Sequence, residues 1–92
     1  MRLDLFLKVS RLCSRRSVAQ KLCDAGIVML NGRAVKSAHE VKPADEIVIR
    51  KANEEIVARV LTVPTSRNVS RRDANSLIEI VSKTERDPEN GL

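Results

Sequence analysis

Apolar positions follow one spacing at the start of the chain and another further on. Leu3, Phe6 and Leu7 are spaced as on one face of a helix, and Asp4 stands where the helix dipole favours a carboxylate, so a short helix is predicted over residues 3–9. Ser10 to Cys13 form a tight connection. In residues 15–25, Val18, Leu22 and Ala25 share a face with Ala19 and Cys23 beside them, which predicts a second helix of about three turns. Ser14 suits the N-cap, because its hydroxyl can accept from an unpaired first-turn amide. Gly26 suits the stop, because it tolerates the left-handed conformation that ends many helices. Two short helices so joined form a helix–turn–helix-like pair.

From Ile27 the spacing becomes that of strands. Ile27-Val28-Met29-Leu30 and Arg33-Ala34-Val35-Lys36 flank Asn31-Gly32, a pair suited to the hairpin turn that needs positive φ at both central residues. Pro43-Ala44-Asp45 predicts a turn into a β-branched strand over 46–51. Ala52-Asn53-Glu54 is a further turn before a strand over 55–63, and these two strands are expected to pair antiparallel. Residues 64–69 read as a loop. Ser70-Arg71-Arg72-Asp73 resembles a capping box with Asp in the last place, which could open a single helical turn through Ser76. Residues 77–81 then form a last strand, unless one helix runs over 71–83; 84–92 are expected to be a frayed terminus. The sum is an α+β fold of two N-terminal helices on a small, mostly antiparallel sheet with a short C-terminal extension. It makes one domain over residues 1–83 and a tail over 84–92.

Composition narrows the chemistry. Phe6 is the only aromatic residue in 92, so the core is aliphatic and base stacking has little to work with. The net charge is +5 and unevenly placed: residues 1–24 carry six basic side chains against two acidic ones, whereas 52–92 carry six against seven. A basic half on a small domain suggests an anionic polymer or surface. No apolar run is long enough to span a bilayer, and the start lacks the apolar core of a signal peptide, so a cytoplasmic location is expected. Cys13 and Cys23 are too few for a disulfide framework or a zinc site. Cys23 is expected in the core and Cys13, in a connection, partly exposed. His39 stands alone. No carboxylate pair, nucleophile–histidine set or glycine-rich phosphate loop is present, so no enzyme is expected, nor any cofactor or metal.

Arg15-Arg16 is the most informative pair. Each stands at the start of a predicted helix, where the dipole disfavours a cation. A local rule broken without structural gain marks a candidate site, and the simplest occupant is phosphate, which arginine grips with a planar fork of donors. Arg2 joins them, and Lys8 and Arg11 strengthen the field. Asp4 either stabilises the first turn, or orients Arg2 or Arg16, or accepts from a base amino group or a 2′-hydroxyl. Ser17 donates to phosphate or bonds back to its own helix. Asn31 and Gly32 read as turn residues without chemistry. Arg71 and Arg72 read as a solvated helix start. The competing classes are a DNA-binding regulator with 15–25 as recognition helix and Gln20 as its main base reader, and an adaptor using a sheet edge.

Taken in order, Arg2-Leu3-Asp4, the basic stretch Lys8 to Arg16, Ser17-x-Ala19, Gly26-x-Val28, Asn31-Gly32 and Pro43-x-Asp45-x-Ile47 resemble the S4 RNA-binding domain, also described as the αL motif, over about residues 1–51. Ala44 departs from the pattern, which more often has Gly there. The resemblance implies a basic face for structured RNA built from Arg2, Asp4, Lys8, Arg11, Arg15, Arg16, Ser17 and Lys21, with Lys36 outlying. Small stand-alone members act on obstructed large ribosomal subunits. The closer branch works in ribosome-associated quality control: it holds peptidyl-tRNA against rRNA beside the tailing factor RqcH while stalled chains are extended. A heat-shock branch, a general rescue or assembly role, is the alternative; its members usually add a long basic C-terminal helix. A monomer without membrane attachment is expected.

Overall fold

The computed structural model describes residues 1–85. The helices are α1 (Leu3–Val9) and α2 (Arg16–Asp24); then follow β1 (Val28–Leu30), β2 (Arg33–Ala34), β3 (Glu46–Arg50), β4 (Glu54–Val60), α3 (Arg71–Ala74) and β5 (Ile78–Glu85). The strands form one antiparallel sheet in the order β2-β1-β3-β4-β5. The α+β class and the helix pair packed on the sheet are as expected.

Leu3, Phe6 and Leu7 of α1 are fully buried, as helical spacing requires, and meet Ile47 and Ile49 of β3 and Val28 of β1 in one apolar core. β3 is central, and its Ile47, Val48 and Ile49 are all buried. On β4 only the residues of one face, Ile56, Ala58 and Val60, are buried.

α1 has no side-chain N-cap, yet its first amides are satisfied. Leu3 N donates to His39 O at 2.7 Å, Asp4 N to Ser37 O at 3.1 Å, and Leu5 N to Asp4 Oδ1 at 2.7 Å. The backbone of 37–41 therefore anchors the start of α1, with Val41 N donating to Met1 O at 2.9 Å.

Two local expectations change at α2, and a third in the connection before it. Its N-cap is Arg15, without a side-chain cap bond, rather than Ser14. Its buried face is Ala19 and Cys23, while Val18 and Ala25 are exposed and Leu22 half-buried. The stop at Gly26 stands: at φ +73 it donates to Cys23 O, and Ile27 N to Leu22 O, closing the helix with the paired bonds of a Schellman motif. Cys13 is buried rather than partly exposed, with its amide bonded to Leu7 O. Burial raises its thiol pKa, and burial foremost pushes the Cys23 thiol up to about 11, so both are protonated at neutral pH.

The hairpin turn is as expected, with Asn31 at φ +51 and Gly32 at φ +83. Asn31 does more than turn: its Nδ2 donates to Asp45 Oδ1 at 3.0 Å and its Oδ1 accepts from Glu46 N at 2.9 Å, which ties the hairpin to the start of β3. Asp45 N donates to Lys42 O across Pro43 and Ala44, and Ala44 sits at φ +74, so alanine occupies the left-handed site that glycine would fill. Ser70 Oγ accepts from Asp73 N at 3.1 Å and opens a single turn, which excludes a helix over 71–83. β5 follows, with one extra residue opposite Val57/Ala58, and runs through Glu85, past the point where the tail was expected to begin. The rest of that tail, 86–92, lies outside the described residues.

Candidate nucleic-acid interface

Asp4 is the hub of the basic end. Its side chain has no exposure, although it belongs to the first turn of a surface helix. Oδ2 accepts from Gln20 Nε2 at 2.9 Å and lies 3.3 Å from both Arg2 Nη2 and Arg16 Nε. Arg16 and Gln20 reach it together because residues four apart on a helix stand one above the other. Burial pushes the Asp4 carboxyl up, but the Gln20 amide, the Leu5 amide and Arg16 outweigh it and hold its pKa below the ordinary 3.8.

Two guanidiniums against one carboxylate leave a net positive charge. Arg2 and Arg16 keep side-chain exposures of 49% and 33%, so the donors not aimed at Asp4 face solvent. Arg16 Nε is buried and lacks hydrogen-bond alignment to Asp4, so that contact is electrostatic. The arrangement can present two pre-oriented forks to phosphate oxygens, the geometry in which arginine binds phosphate bidentately.

The structure brings Arg2, Asp4 and Arg16 into direct contact. Lys8, Arg11, Arg15, Ser17, Lys21 and Lys36 are exposed, with no ion pair among the described residues. Lys8 and Arg11 line a separate cleft together with Arg67. By contrast, Arg50 pairs with Glu55 at 3.2 Å and Lys83 with Glu54 at 3.8 Å, so part of the basic charge on the sheet is neutralised. Arg16 therefore has a structural partner, and the premise that both arginines lack structural gain holds for Arg15 alone. The Gln20 amide nitrogen is engaged by Asp4, which weighs further against the recognition-helix alternative, where Gln20 was the main base reader in an otherwise poor set. Sequence reasoning missed this positioning role of Gln20. Its spacing from Arg16 was the available signal. Arg67 carried no local signal at all.

No helix is long and apolar enough to cross a membrane among the described residues, and no group of three or more ligating side chains gathers there.

Comparison with known proteins gives the chain's family. The S4 domain family model matches residues 1–47. The RQC P-site tRNA stabilizing factor of Streptococcus pneumoniae is 39% identical over 84 residues, covering 91% of this chain and 93% of that protein. The solution structure of the hypothetical protein HP1423 is similar with a TM-score of 0.77 at 34% identity, over 89% of this chain and 98% of that one. Heat Shock Protein 15 of Vibrio cholerae, solved as a trimer, shares the fold with a TM-score of 0.79 at 24% identity, over 89% of this chain and 82% of that one. With a helix pair that presents arginines around a buried aspartate, and with relatives matching along most of its length, the chain belongs to the S4-domain family, in the branch of the RQC P-site tRNA stabilizing factors.

Proposed function

We propose that the protein is a non-catalytic RNA-binding factor of the cytoplasm that binds rRNA and tRNA on the large ribosomal subunit and stabilises peptidyl-tRNA during ribosome-associated quality control. The observation that carries this reading is the pair of half-exposed arginines, Arg2 and Arg16, held on the buried carboxylate of Asp4. The similarity to RQC P-site tRNA stabilizing factors over most of the chain supports the particular RNA.

In this reading Arg2, Arg15 and Arg16 clamp phosphates of an rRNA helix and of the adjacent tRNA. Asp4 positions two of them, while Lys8, Arg11, Ser17, Lys21 and Lys36 add field and further donors. Joining two RNAs needs no bond to be made or broken. Phosphate neutralisation releases condensed counterions, so affinity falls with salt by about 0.7–0.9 in log–log slope per contact. With Phe6 buried, recognition rests on backbone and shape rather than stacked bases. The protein acts as a monomer beside the tailing factor RqcH, which extends the stalled chain.

Sedimentation of tagged protein from a lysate tests the reading. Wild type is expected with free large subunits carrying peptidyl-tRNA, and a folded Arg16→Gln variant at the top of the gradient. Wild type away from ribosomal particles at low and moderate salt would reduce the reading to a generic RNA-binding domain.

A further inference from the structure

The end of α1, the connection to α2 and the loop over residues 67–70 flank an open cleft of about 390 Å³, within the size range of small-ligand sites. Its charged lining is wholly cationic: Lys8 and Arg11 from the connection side, Arg67 from the loop. No carboxylate lines it, and none of the three cations forms an ion pair among the described residues. Three like charges around one hollow repel each other, a cost that folding alone gives no reason to bear.

The remaining polar lining consists of donors suited to an anion. Ser14 and Asn68 line it, and Ser70 Oγ, which accepts from Asp73 N at 3.1 Å, keeps its O–H proton to donate. Arg11 is held at φ +67, a conformation that an L residue enters at a cost and that glycine would adopt freely. Ser14 lines the cleft and is the chain neighbour of Arg15, so the cleft adjoins the start of α2. The loop side lies outside residues 1–47, the S4 match, so this wall is an addition of the chain's C-terminal half.

We propose that this cleft is a second phosphate site, which takes one phosphodiester of the RNA that the Arg2–Asp4–Arg16 cluster engages, with Arg67 as its principal new ligand. The inference rests on the RNA-binding reading and deepens it. Continuity with Arg15 favours RNA backbone over other anions. The absence of an aromatic wall favours phosphate over a base.

The test measures binding to purified large subunits carrying P-site peptidyl-tRNA, at fixed magnesium and varied monovalent salt. The variants are Arg67→Gln, Lys8→Gln, Arg16→Gln and Arg72→Gln, the last an exposed cation outside the cleft. Arg67→Gln and Lys8→Gln are each expected to weaken binding by about 3- to 10-fold and to lower the salt slope by about 0.7–0.9, as loss of one phosphate contact does. Arg72→Gln is expected to change neither. The effects of Arg67→Gln and Arg16→Gln should multiply, as for independent contacts. Far-UV circular dichroism checks that the variants fold. Arg67→Gln and Lys8→Gln both matching wild type, beside a weakened Arg16→Gln, would overturn the cleft and leave the arginine cluster standing. Wild-type behaviour of all four would overturn the RNA-binding reading as well.

Discussion

Arg16 Nε stands 3.3 Å from Oδ2 of Asp4, a carboxylate with no exposure to solvent, and this contact ties the start of α2 to the start of α1. In the proposed function, stability and RNA binding share this residue: Arg16 helps to neutralise a buried charge, and its exposed part is what phosphate would meet. A loss of binding on removing Arg16 is therefore informative only beside a measure of folding.

Asp4→Asn tests the hub directly. The amide keeps the shape but removes the charge that holds Arg2 and Arg16, and its NH₂ group cannot accept from Gln20. Breaking a buried pair by removing one partner costs about 3–5 kcal/mol, and the half-exposed arginines reduce that here, so a loss of about 2 kcal/mol is expected. Urea titration measures it. Binding to large subunits should weaken further than the unfolded fraction explains, because both forks lose their anchor. A variant as stable as wild type would show that Asp4 contributes no net stability.

The same carboxylate sets the acid limb of stability. Its native pKa lies below the ordinary 3.8, so the unfolded chain takes up the proton more readily than the folded one. The contribution of Asp4 is complete above the ordinary carboxylate range and is lost as pH falls through that value towards the lower native one. Melting temperature between about pH 6 and pH 2.5 should fall more steeply for wild type than for Asp4→Asn. Parallel acid limbs would remove Asp4 from the account.

Much of this fold was legible because its signals are local. Asn31-Gly32 needs only two residues to name its turn, and Leu3, Phe6 and Leu7 need only their spacing. What escaped depends on distant partners. Periodicity places Val18, Ala19, Leu22 and Cys23 on adjoining faces of α2, but which of them is covered depends on what packs against α2, and the structure covers Ala19 and Cys23. The amides at the start of α1 meet carbonyls of 37–39, more than thirty residues away, so no local cap announced them. Asp4 read equally well as a first-turn carboxylate because its interaction with Gln20 spans sixteen residues. Beyond the first pairs, β5 shows little alternation, because as an edge strand it has few buried positions.

Arg15 separates function from stability more cleanly than Arg16. It is exposed, has no ion pair among the described residues, and occupies the N-cap of α2 in extended conformation without a cap bond. Arg15→Ser supplies the missing acceptor and removes a cation from the positive end of the helix. It is expected to raise stability by about 0.5–1 kcal/mol while weakening RNA binding several-fold. Thermal melts and subunit binding on the same preparation decide it. Unchanged binding would place Arg15 outside the interface.

Of the three non-glycine residues with positive φ among the described residues, two provide a matched pair. Ala44 at φ +74 and Arg11 at φ +67 each bear the clash of a Cβ that glycine would remove. Glycine also frees the unfolded chain, which offsets part of the relief, so Ala44→Gly and Arg11→Gly are each expected to gain about 0.5–1 kcal/mol. Their effects on RNA should diverge. Ala44 lies in the turn before β3 and has no donor to lose, so Ala44→Gly should bind as wild type does. Arg11 lines the cationic cleft, so Arg11→Gly should weaken binding and flatten its salt dependence even as the protein becomes harder to unfold. A variant that gains stability and loses affinity shows that the side chain at position 11 serves the RNA and that the backbone strain is what the fold bears to keep it. Full affinity in Arg11→Gly would place Arg11 outside the interface and leave its conformation to the geometry of the α1–α2 connection alone.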